Sequence, residues 1–255
     1  MSETEPTENR PTETRPTEAA KSEGNVVAKP EQVQVMFDRI SRVYDVMNLA
    51  ISGFQEPRWR RRAADAAQLG PGMSAVDVAC GTGRVSMELL QRTRPGGRVV
   101  GVDFSPGMIE AANARFGDRR GLEFVVGDAL NLQLPDATFD AATICFGMRN
   151  LVDFRRGFSE LTRVVKPGGR VVCLEIARPT SIIGRIGQQW FDRLVPLIGR
   201  IAGQGDAYSY LVTSTKGYPP PRRIAEIMRE VGLVDVRYER LTFGMVTLHV
   251  GTKPA

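Results

Sequence analysis

The sequence predicts an α/β protein in which a mostly parallel β-sheet carries helices on both faces. Five short apolar runs between residues 75 and 176 alternate with segments that repeat their apolar residues at helical spacing. The runs are rich in Val and Ile and suit strands buried on both sides, as the strands of parallel sheets are. Two further strand-like runs close the sequence with one glycine between them, which predicts a tight hairpin and at least one antiparallel strand.

The first 28 residues predict a disordered tail rich in Glu, Thr and Pro. A Pro-Thr-Glu repeat begins at Pro6, Pro11 and Pro16, and almost no apolar side chain is present whose burial could offset the entropy lost on ordering. We therefore expect a single folded domain over residues 29–255.

The ordered elements follow in sequence from Glu31, where apolar residues begin to recur at helical spacing. The residues of this first stripe are Val33, Met36, Phe37, Ile40, Val43, Tyr44 and Met47. Further helices are expected over 59–69, 84–94, 106–116, 154–165 and 221–231. Strands are expected over 75–79, 98–102, 122–126, 139–145, 170–176, 234–243 and 245–251. Residues 180–218 interrupt the alternation and predict a helical insertion.

Composition limits the classes of partner. The 255 residues are 42% hydrophobic and 25% charged, with no apolar run long enough for a transmembrane helix and no apolar signal segment near the N-terminus. We therefore expect a cytoplasmic protein. The 31 basic and 23 acidic residues beyond residue 24 give that part a net charge of +8, which favours a nucleic acid or an anionic membrane surface as partner.

The cysteines and the single histidine predict no metal site. Cys80, Cys145 and Cys173 each lie in an apolar run, and no two of them form a CxxC pair. We expect reduced thiols in the core, because scattered cysteines and one histidine lack the ligand spacing of a zinc site.

The strongest local signal is a small-residue turn between a strand and a helix, Gly81-Thr82-Gly83. Glycine permits the backbone angles and the close ligand approach that such a turn needs. Asp103 ends the next strand, 20 residues after Gly83, where a carboxylate can accept both hydroxyls of a ribose. The sixth position of the dinucleotide fingerprint is Ser86 instead of glycine, and no P-loop lysine follows. The pattern therefore favours a nucleoside without a pyrophosphate, such as S-adenosylmethionine.

Gly127-Asp128-Ala129 follows the third strand and is expected beside the adenine ring. The Asp128 carboxylate can accept from an exocyclic amine, although an aspartate here can equally cap the following turn. Asp77, among apolar neighbours, is expected to be a structural acid.

Further motifs extend the pattern over residues 33 to 253. They are YDVMN at 44–48, WRR at 59–61, FGMRNL at 146–151, RVVKPGG at 163–169, GDAY at 205–208 and LHVG at 248–251. On these residues the chain resembles the ubiquinone/menaquinone biosynthesis C-methyltransferase family, within the class I S-adenosylmethionine-dependent methyltransferases. The resemblance implies a Rossmann-like three-layer sandwich with a seven-stranded sheet. It also implies cofactor contacts from Thr82, Asp103, Asp128, Ala129 and Cys145.

The resemblance implies methylation of a ring carbon on a prenylated naphthoquinol, converting demethylmenaquinol to menaquinol. Three departures from the family pattern, at 52–54, Ala177 and Tyr218-Pro219, lie toward the substrate. A paralogue acting on another quinol, lipid or small phenol therefore stays open. An RNA-associated methyltransferase is suggested by the positive charge alone, because the sequence contains no RNA-reading module. A homodimer is left open.

Ring carbon becomes a good nucleophile when a ring hydroxyl loses its proton, so the site needs a base or a stabilised oxyanion. We expect Arg149 to stabilise the phenolate, with a salt bridge or cap to Asp153 as the alternative. Asn150 could fix the ring oxygen and Tyr44 could bind the substrate or the cofactor, but the sequence favours a structural role for each of them. His249, between apolar neighbours in a strand, is expected to be a core residue.

The insertion carries an apolar stripe at helical spacing with basic neighbours. Its members are Ile183, Ile186, Trp190, Leu194, Leu197 and Ile201. The stripe is consistent with a lid packed on the core or with peripheral contact at the inner membrane face, where an isoprenoid tail could enter.

Overall fold

The computed structural model describes residues 30–41, 44–179, 181–201 and 205–255. The predicted tail, together with Val43, lies outside these residues. The strands are β1 (Ser74–Val78), β2 (Arg98–Asp103), β3 (Leu122–Val126), β4 (Phe139–Cys145), β5 (Val165–Ile176), β6 (Val234–Leu241) and β7 (Val246–Thr252).

The helices divide into an N-terminal group, a group between the strands and an inserted pair. They are α1 (Pro30–Ile40), α2 (Tyr44–Ile51), α3 (Glu56–Ala66), α4 (Arg84–Thr93), α5 (Pro106–Phe116), α6 (Phe154–Val164), α7 (Ile182–Ile201), α8 (Gly205–Gly217) and α9 (Pro221–Glu230). The inserted pair, α7 and α8, confirms helical structure over the described part of 180–218.

The seven strands form one sheet in the order β3-β2-β1-β4-β5-β7-β6. Neighbouring strands from β3 to β5 are parallel, and β7 is antiparallel to both β5 and β6. The predicted mostly parallel sheet with an antiparallel closing strand is therefore confirmed. The turn between β6 and β7 is longer than the one glycine expected, because a 3-10 turn covers Thr242–Gly244.

Two apolar clusters lie on opposite faces of the sheet, so its central strands carry apolar side chains on both sides. One contains Val76, Val78, Ile144 and the α6 residues Phe154 and Phe158, and the other contains Ala75, Val99 and residues of α3 and α4. Neighbouring residues of one strand, such as Ala75 and Val76, thus belong to different clusters because side chains alternate across a strand. This is the three-layer sandwich that the sequence predicts.

Two elements have a boundary that differs from the sequence expectation by three residues or more. Helix α3 begins at Glu56 and ends at Ala66, three residues earlier at each end than predicted, because Pro57 takes an early helical position where its missing N–H costs nothing. Strand β5 begins at Val165, which pairs with Phe139 of β4 across an irregularity in register.

Buried polar groups of the sheet support its structure. Asp77 accepts hydrogen bonds from Ser86 Oγ (2.6 Å) and Thr143 Oγ1 (2.7 Å), and burial raises its pKa to about 6. His249 is fully buried on β7, where Nε2 donates to the Pro221 carbonyl at 2.9 Å. All three cysteines are buried and free. The expected structural roles of Asp77, His249 and the thiols therefore agree with their positions.

Candidate active site

A cleft of about 1000 Å³, including its open mouth, lies at the carboxyl ends of the parallel strands. This is the position at which open α/β sheets bind ligands. Its wall includes residues from the ends of β1, β2, β3 and β4, namely Gly81, Asp103, Asp128, Ala129 and Cys145. The structure thus brings together five of the seven predicted cofactor residues in one cleft, which we call the cofactor cleft.

Asp103 is positioned in this cleft by backbone donors on two sides. Its Oδ2 accepts from Gly81 N at 2.8 Å and its Oδ1 accepts from Ser105 N at 2.9 Å. Burial raises the pKa of this carboxyl, and the two backbone N–H groups oppose that rise. A carboxylate offers about four lone-pair sites, so both oxygens keep capacity for the two hydroxyls of a ribose.

The glycine turn brings backbone close to the cleft. Gly81 and Gly83 both have positive φ, of 54° and 78°, and Gly83 ends the turn where α4 begins. A Cβ at Gly83 would lie 2.5 Å from Cζ of Phe124, which leaves no room for a side chain. The glycines are therefore required by backbone angle and, at Gly83, by packing.

Two predicted cofactor residues do not line the cleft. Gly83 faces the ring of Phe124, and the Thr82 hydroxyl donates to Asp45 Oδ1 at 2.8 Å. Asp128 does line it, while its Oδ1 also accepts from Leu130 N at 2.8 Å, so the turn-capping role considered from the sequence is present too.

Asp45 of α2 connects the N-terminal helices to the cofactor turn. Its carboxylate accepts from Thr82 and forms ion pairs with Arg84 Nε at 2.9 Å and with Arg115. Burial opposes ionisation, but these three donors together lower the pKa of Asp45. Sequence reasoning missed this role, because Thr82, Arg84 and Arg115 are 37 to 70 residues away along the chain.

A second cavity of about 710 Å³ adjoins the cofactor cleft and shares Tyr44 and Phe146 with it. We call it the acceptor cavity. Apolar and aromatic side chains form most of its wall, and Arg149 and Glu56 contribute charged groups. An apolar pocket with few convergent polar groups suits an aromatic ring that carries hydroxyls.

Arg149 lies in the wall of the acceptor cavity, in the 3-10 turn after β4. Its Nη1 donates to Glu175 Oε1 at 2.8 Å, and its backbone N donates to Glu175 Oε2 at 3.1 Å. The suggested partner Asp153 is wrong, because its carboxylate instead caps α6 by accepting from Arg156 N at 2.9 Å. Burial opposes the charge of Arg149, but Glu175 and Tyr44 hold its pKa above the usual value.

Asn150 and Tyr44, the other predicted catalytic residues, take different positions. Asn150 lines the cofactor cleft, and its Oδ1 accepts from the Tyr210 hydroxyl of α8 at 3.2 Å. Tyr44 borders both compartments. Burial raises the pKa of its hydroxyl and Arg149 opposes the rise, so the phenol is neutral at pH 7. Tyr44 is thus placed at the boundary, while Asn150 connects the cofactor cleft to the inserted helices.

Glu56 and Arg60 form a buried ion pair that sequence reasoning did not identify. Glu56 lines the acceptor cavity and pairs with Arg60 one helical turn later on α3. The i,i+4 spacing in EPRWR is a signal for the pair itself, but it contains nothing that places Glu56 in the wall of the cavity that also contains Arg149.

Comparison with known proteins finds methyltransferases that match most of the chain. Residues 25–253 match the model of the ubiE/COQ5 methyltransferase family. A demethylmenaquinone methyltransferase of Thermus thermophilus is 42% identical over 86% of this chain and all of that protein. A demethylmenaquinone methyltransferase of Desulfitobacterium hafniense is 40% identical over 89% of this chain and 91% of that protein.

Among solved structures, a Thermotoga maritima S-adenosylmethionine-dependent methyltransferase superposes with a TM-score of 0.61. It is 21% identical and covers 87% of this chain and 99% of its own. At this identity the likeness shows a shared class I methyltransferase fold.

Proposed function

The chain belongs to the ubiE/COQ5 methyltransferase family, and we propose that it transfers a methyl group from S-adenosylmethionine to a ring carbon of demethylmenaquinol, giving menaquinol. The observation that carries this proposal is the pair of adjoining compartments. One is lined by Asp103 and the ends of four parallel strands, and the other is a largely apolar cavity beside Arg149.

The residues of the cofactor cleft fit S-adenosylmethionine. Asp103 can accept the ribose hydroxyls, and the backbone and carboxylate of Asp128 suit the adenine edge. Cys145 adds an apolar surface, since burial raises the pKa of its thiol well above the ordinary value and keeps it neutral. When bound, S-adenosylmethionine supplies a methyl group that is already electrophilic.

The chain's remaining task is to align and activate the acceptor ring. Holding the ring carbon in line with the methyl group lowers the entropic part of the barrier. Arg149 is rigidly held by Glu175 and offers a fixed positive charge where the ring oxygen becomes negative. Trp59 and Phe146, whose ring centroids lie 6.1 Å apart, give the acceptor ring aromatic neighbours.

The acceptor cavity also suggests how a prenylated substrate reaches the site. Phe54, Ile186 and Phe243 are 71%, 55% and 66% exposed, and each lies within two residues of a side chain that lines the cavity. Arg185 beside them is exposed as well. We infer that this apolar rim touches the surface of an anionic membrane at its inner face, so that the isoprenoid tail can stay in lipid. In the part of the chain that the structure describes, no helix could span a membrane.

Purified protein incubated with methyl-labelled S-adenosylmethionine and demethylmenaquinol tests the proposal. Labelled menaquinol is the expected product, and a deletion strain is expected to accumulate demethylmenaquinone. Absence of label in menaquinol, with label in another phenol or lipid, would instead favour the paralogue reading that the departures at 52–54, Ala177 and Tyr218 raise.

A further inference from the structure

We propose that Glu56 is the proton acceptor for the ring hydroxyl of the substrate, and is therefore a catalytic residue of the methyl transfer. The inference rests on the proposed function, because it needs an acceptor whose ring hydroxyl must ionise. It assigns to one side chain the base that the chemistry requires.

The first support is the chemistry of the cavity wall. Among the described residues that line the acceptor cavity, Glu56 alone carries a carboxylate, and none carries an imidazole. Arg149 stays protonated and offers only donors. Tyr44 is neutral, and its raised pKa makes the phenol a poor acceptor. Glu56 is thus the one lining group that can take a proton near neutral pH.

The second support is how the carboxylate is held. Glu56 opens α3, its backbone N donates to Ser52 Oγ at 3.2 Å, and its side chain is 12% exposed. Its Oε1 accepts from Arg60, whereas Oε2 has no hydrogen-bond partner within the part of the chain that the structure describes. One oxygen is therefore anchored and the other is left for a ligand.

The third support is the position of Glu56 relative to Arg149. The charges of both groups act on the Tyr44 hydroxyl, because Arg149 lowers the pKa of this hydroxyl and Glu56 raises it. An acceptor ring beside Tyr44 is therefore within electrostatic reach of a base and of a fixed cation. A proton can leave toward Glu56 while Arg149 stabilises the oxyanion that remains.

Burial also strengthens the carboxylate as a base. It raises the pKa of Glu56, and Arg60 and Arg84 oppose the rise. A general base is most effective when its pKa lies near the working pH, so a raised value suits this role.

The proposed step balances as follows. The hydroxyl O–H bond breaks, its proton goes to Glu56, and its electron pair delocalises into the ring. The ring carbon forms a bond to the methyl group, and the donor sulfur keeps the electron pair of the broken C–S bond. The proton on that ring carbon then moves to the ring oxygen and restores the aromatic hydroquinol. The proton held by Glu56 is the one released to solvent.

The charged and titratable groups around Glu56 determine its pH behaviour. They are Arg60 on α3, Tyr44 and Asp45 on α2, Arg84 on α4, Cys145 on β4 and Arg149 after β4. Since the base must be ionised, kcat/KM is expected to rise with pH through the pKa of Glu56.

Two variants separate a catalytic role from a structural one. Glu56→Gln is expected to lower kcat/KM about 100- to 1000-fold and to remove the acidic limb of the pH profile. Arg60→Gln breaks the same ion pair but keeps the base, so it should retain activity at high pH and shift the acidic limb upward. Equal losses in both variants, with no shifted limb, would mean that only the ion pair matters.

A readout independent of turnover uses 1-naphthol, whose excited state is a strong acid that emits as naphtholate where a proton acceptor is within reach. Bound to the natural protein, it should emit as naphtholate, and bound to Glu56→Gln it should emit as naphthol. Identical emission from both proteins would overturn the proposal. Should Glu56→Gln not fold, Glu56→Ala with added formate replaces it, and formate should restore turnover and naphtholate emission.

The same experiments distinguish this inference from the proposed function. Natural protein that fails to methylate demethylmenaquinol contradicts the function itself. Natural protein that methylates it, together with a Glu56→Gln variant within about 2-fold of its rate, contradicts only the role of Glu56.

Discussion

Both carboxylate oxygens of Glu175 accept hydrogen bonds from Arg149: Oε1 accepts from Nη1 at 2.8 Å, and Oε2 accepts from the Arg149 backbone N at 3.1 Å. The Arg149 side chain is 5% exposed and that of Glu175 is fully buried. Breaking a buried pair by removing one partner leaves an uncompensated charge and costs about 3–5 kcal/mol. The ion pair therefore holds the Arg149 guanidinium in one position in the wall of the acceptor cavity.

Arg149→Ala is expected to lower kcat about 100- to 1000-fold, because the oxyanion loses its preorganised charge. Binding of S-adenosylhomocysteine, measured by calorimetry, should change little, since Arg149 lines the acceptor cavity and not the cofactor cleft. Turnover that stays intact in this variant would exclude the oxyanion role.

Asp45→Asn is expected to weaken the attachment of α2 to the cofactor turn. The unfolding free energy should fall by about 1–2 kcal/mol, since Arg84 and Arg115 are partly exposed and screened. The folded-state pKa of Asp45 is lowered, so its contribution is complete above the unfolded pKa and is lost as pH falls through the folded value. Denaturation from pH 8 to pH 3 should show a difference that is constant down to about pH 4 and shrinks below it.

His249 makes the free energy of unfolding depend on pH. Because it is the only histidine in the sequence, a single imidazole NMR signal reports its protonation state. Burial lowers its pKa from 6.5 to about 4, so the unfolded chain binds a proton in this interval and the folded chain does not. The contribution of the neutral His249 ring to the free energy of unfolding is complete above pH 6.5, and this free energy should fall by about 3 kcal/mol as the pH drops to 4. Urea unfolding of His249→Gln should lack this slope, and the imidazole NMR signal should stay that of the neutral ring to about pH 5.

Gly83→Ala and Gly168→Ala form a matched pair, since both glycines have a φ of 78°. Backbone strain alone should cost Gly168→Ala about 1 kcal/mol, because no atom lies within 4 Å of its new Cβ. Gly83→Ala adds the overlap with Phe124 and should cost about 3 kcal/mol or more. Similar melting temperatures for the two variants would contradict the packing requirement in the cofactor turn.

The apolar rim predicts lipid association. Phe54→Asn with Phe243→Asn removes two exposed rings while suiting the positive φ of both positions, 64° and 57°. Flotation with anionic liposomes should decrease at least several-fold, while a Val234→Ser variant, changed at an exposed apolar residue that begins β6 at the opposite end of the strand from Phe243, should float as before. Flotation unchanged in the double variant would place membrane contact elsewhere.

The order of elements and the cofactor turn could be predicted because they are local. Strand alternation and the glycines at 81 and 83 are read within a few residues of one another, and the structure confirms both. The partner of Arg149 could not be predicted from the sequence, since Glu175 is 26 residues away along the chain. The two residues are adjacent in space only because Cys145 and Leu174 pair across β4 and β5. Glu56 lies before residue 59, where the helical spacing of apolar residues that predicted its helix begins. This spacing therefore indicated no functional role for Glu56.

The placement of β7 between β5 and β6 has a consequence for synthesis. During translation β6 is made first, yet within the sheet its only neighbour is β7. A nascent chain that ends before Val246 therefore exposes the hydrogen-bonding edge of β5, a strand whose side chains from Val171 to Leu174 are fully buried in the finished fold. Open apolar edges recruit other chains. Ribosomes stalled in this interval should thus carry aggregation-prone chains that depend on chaperones until the last strand emerges.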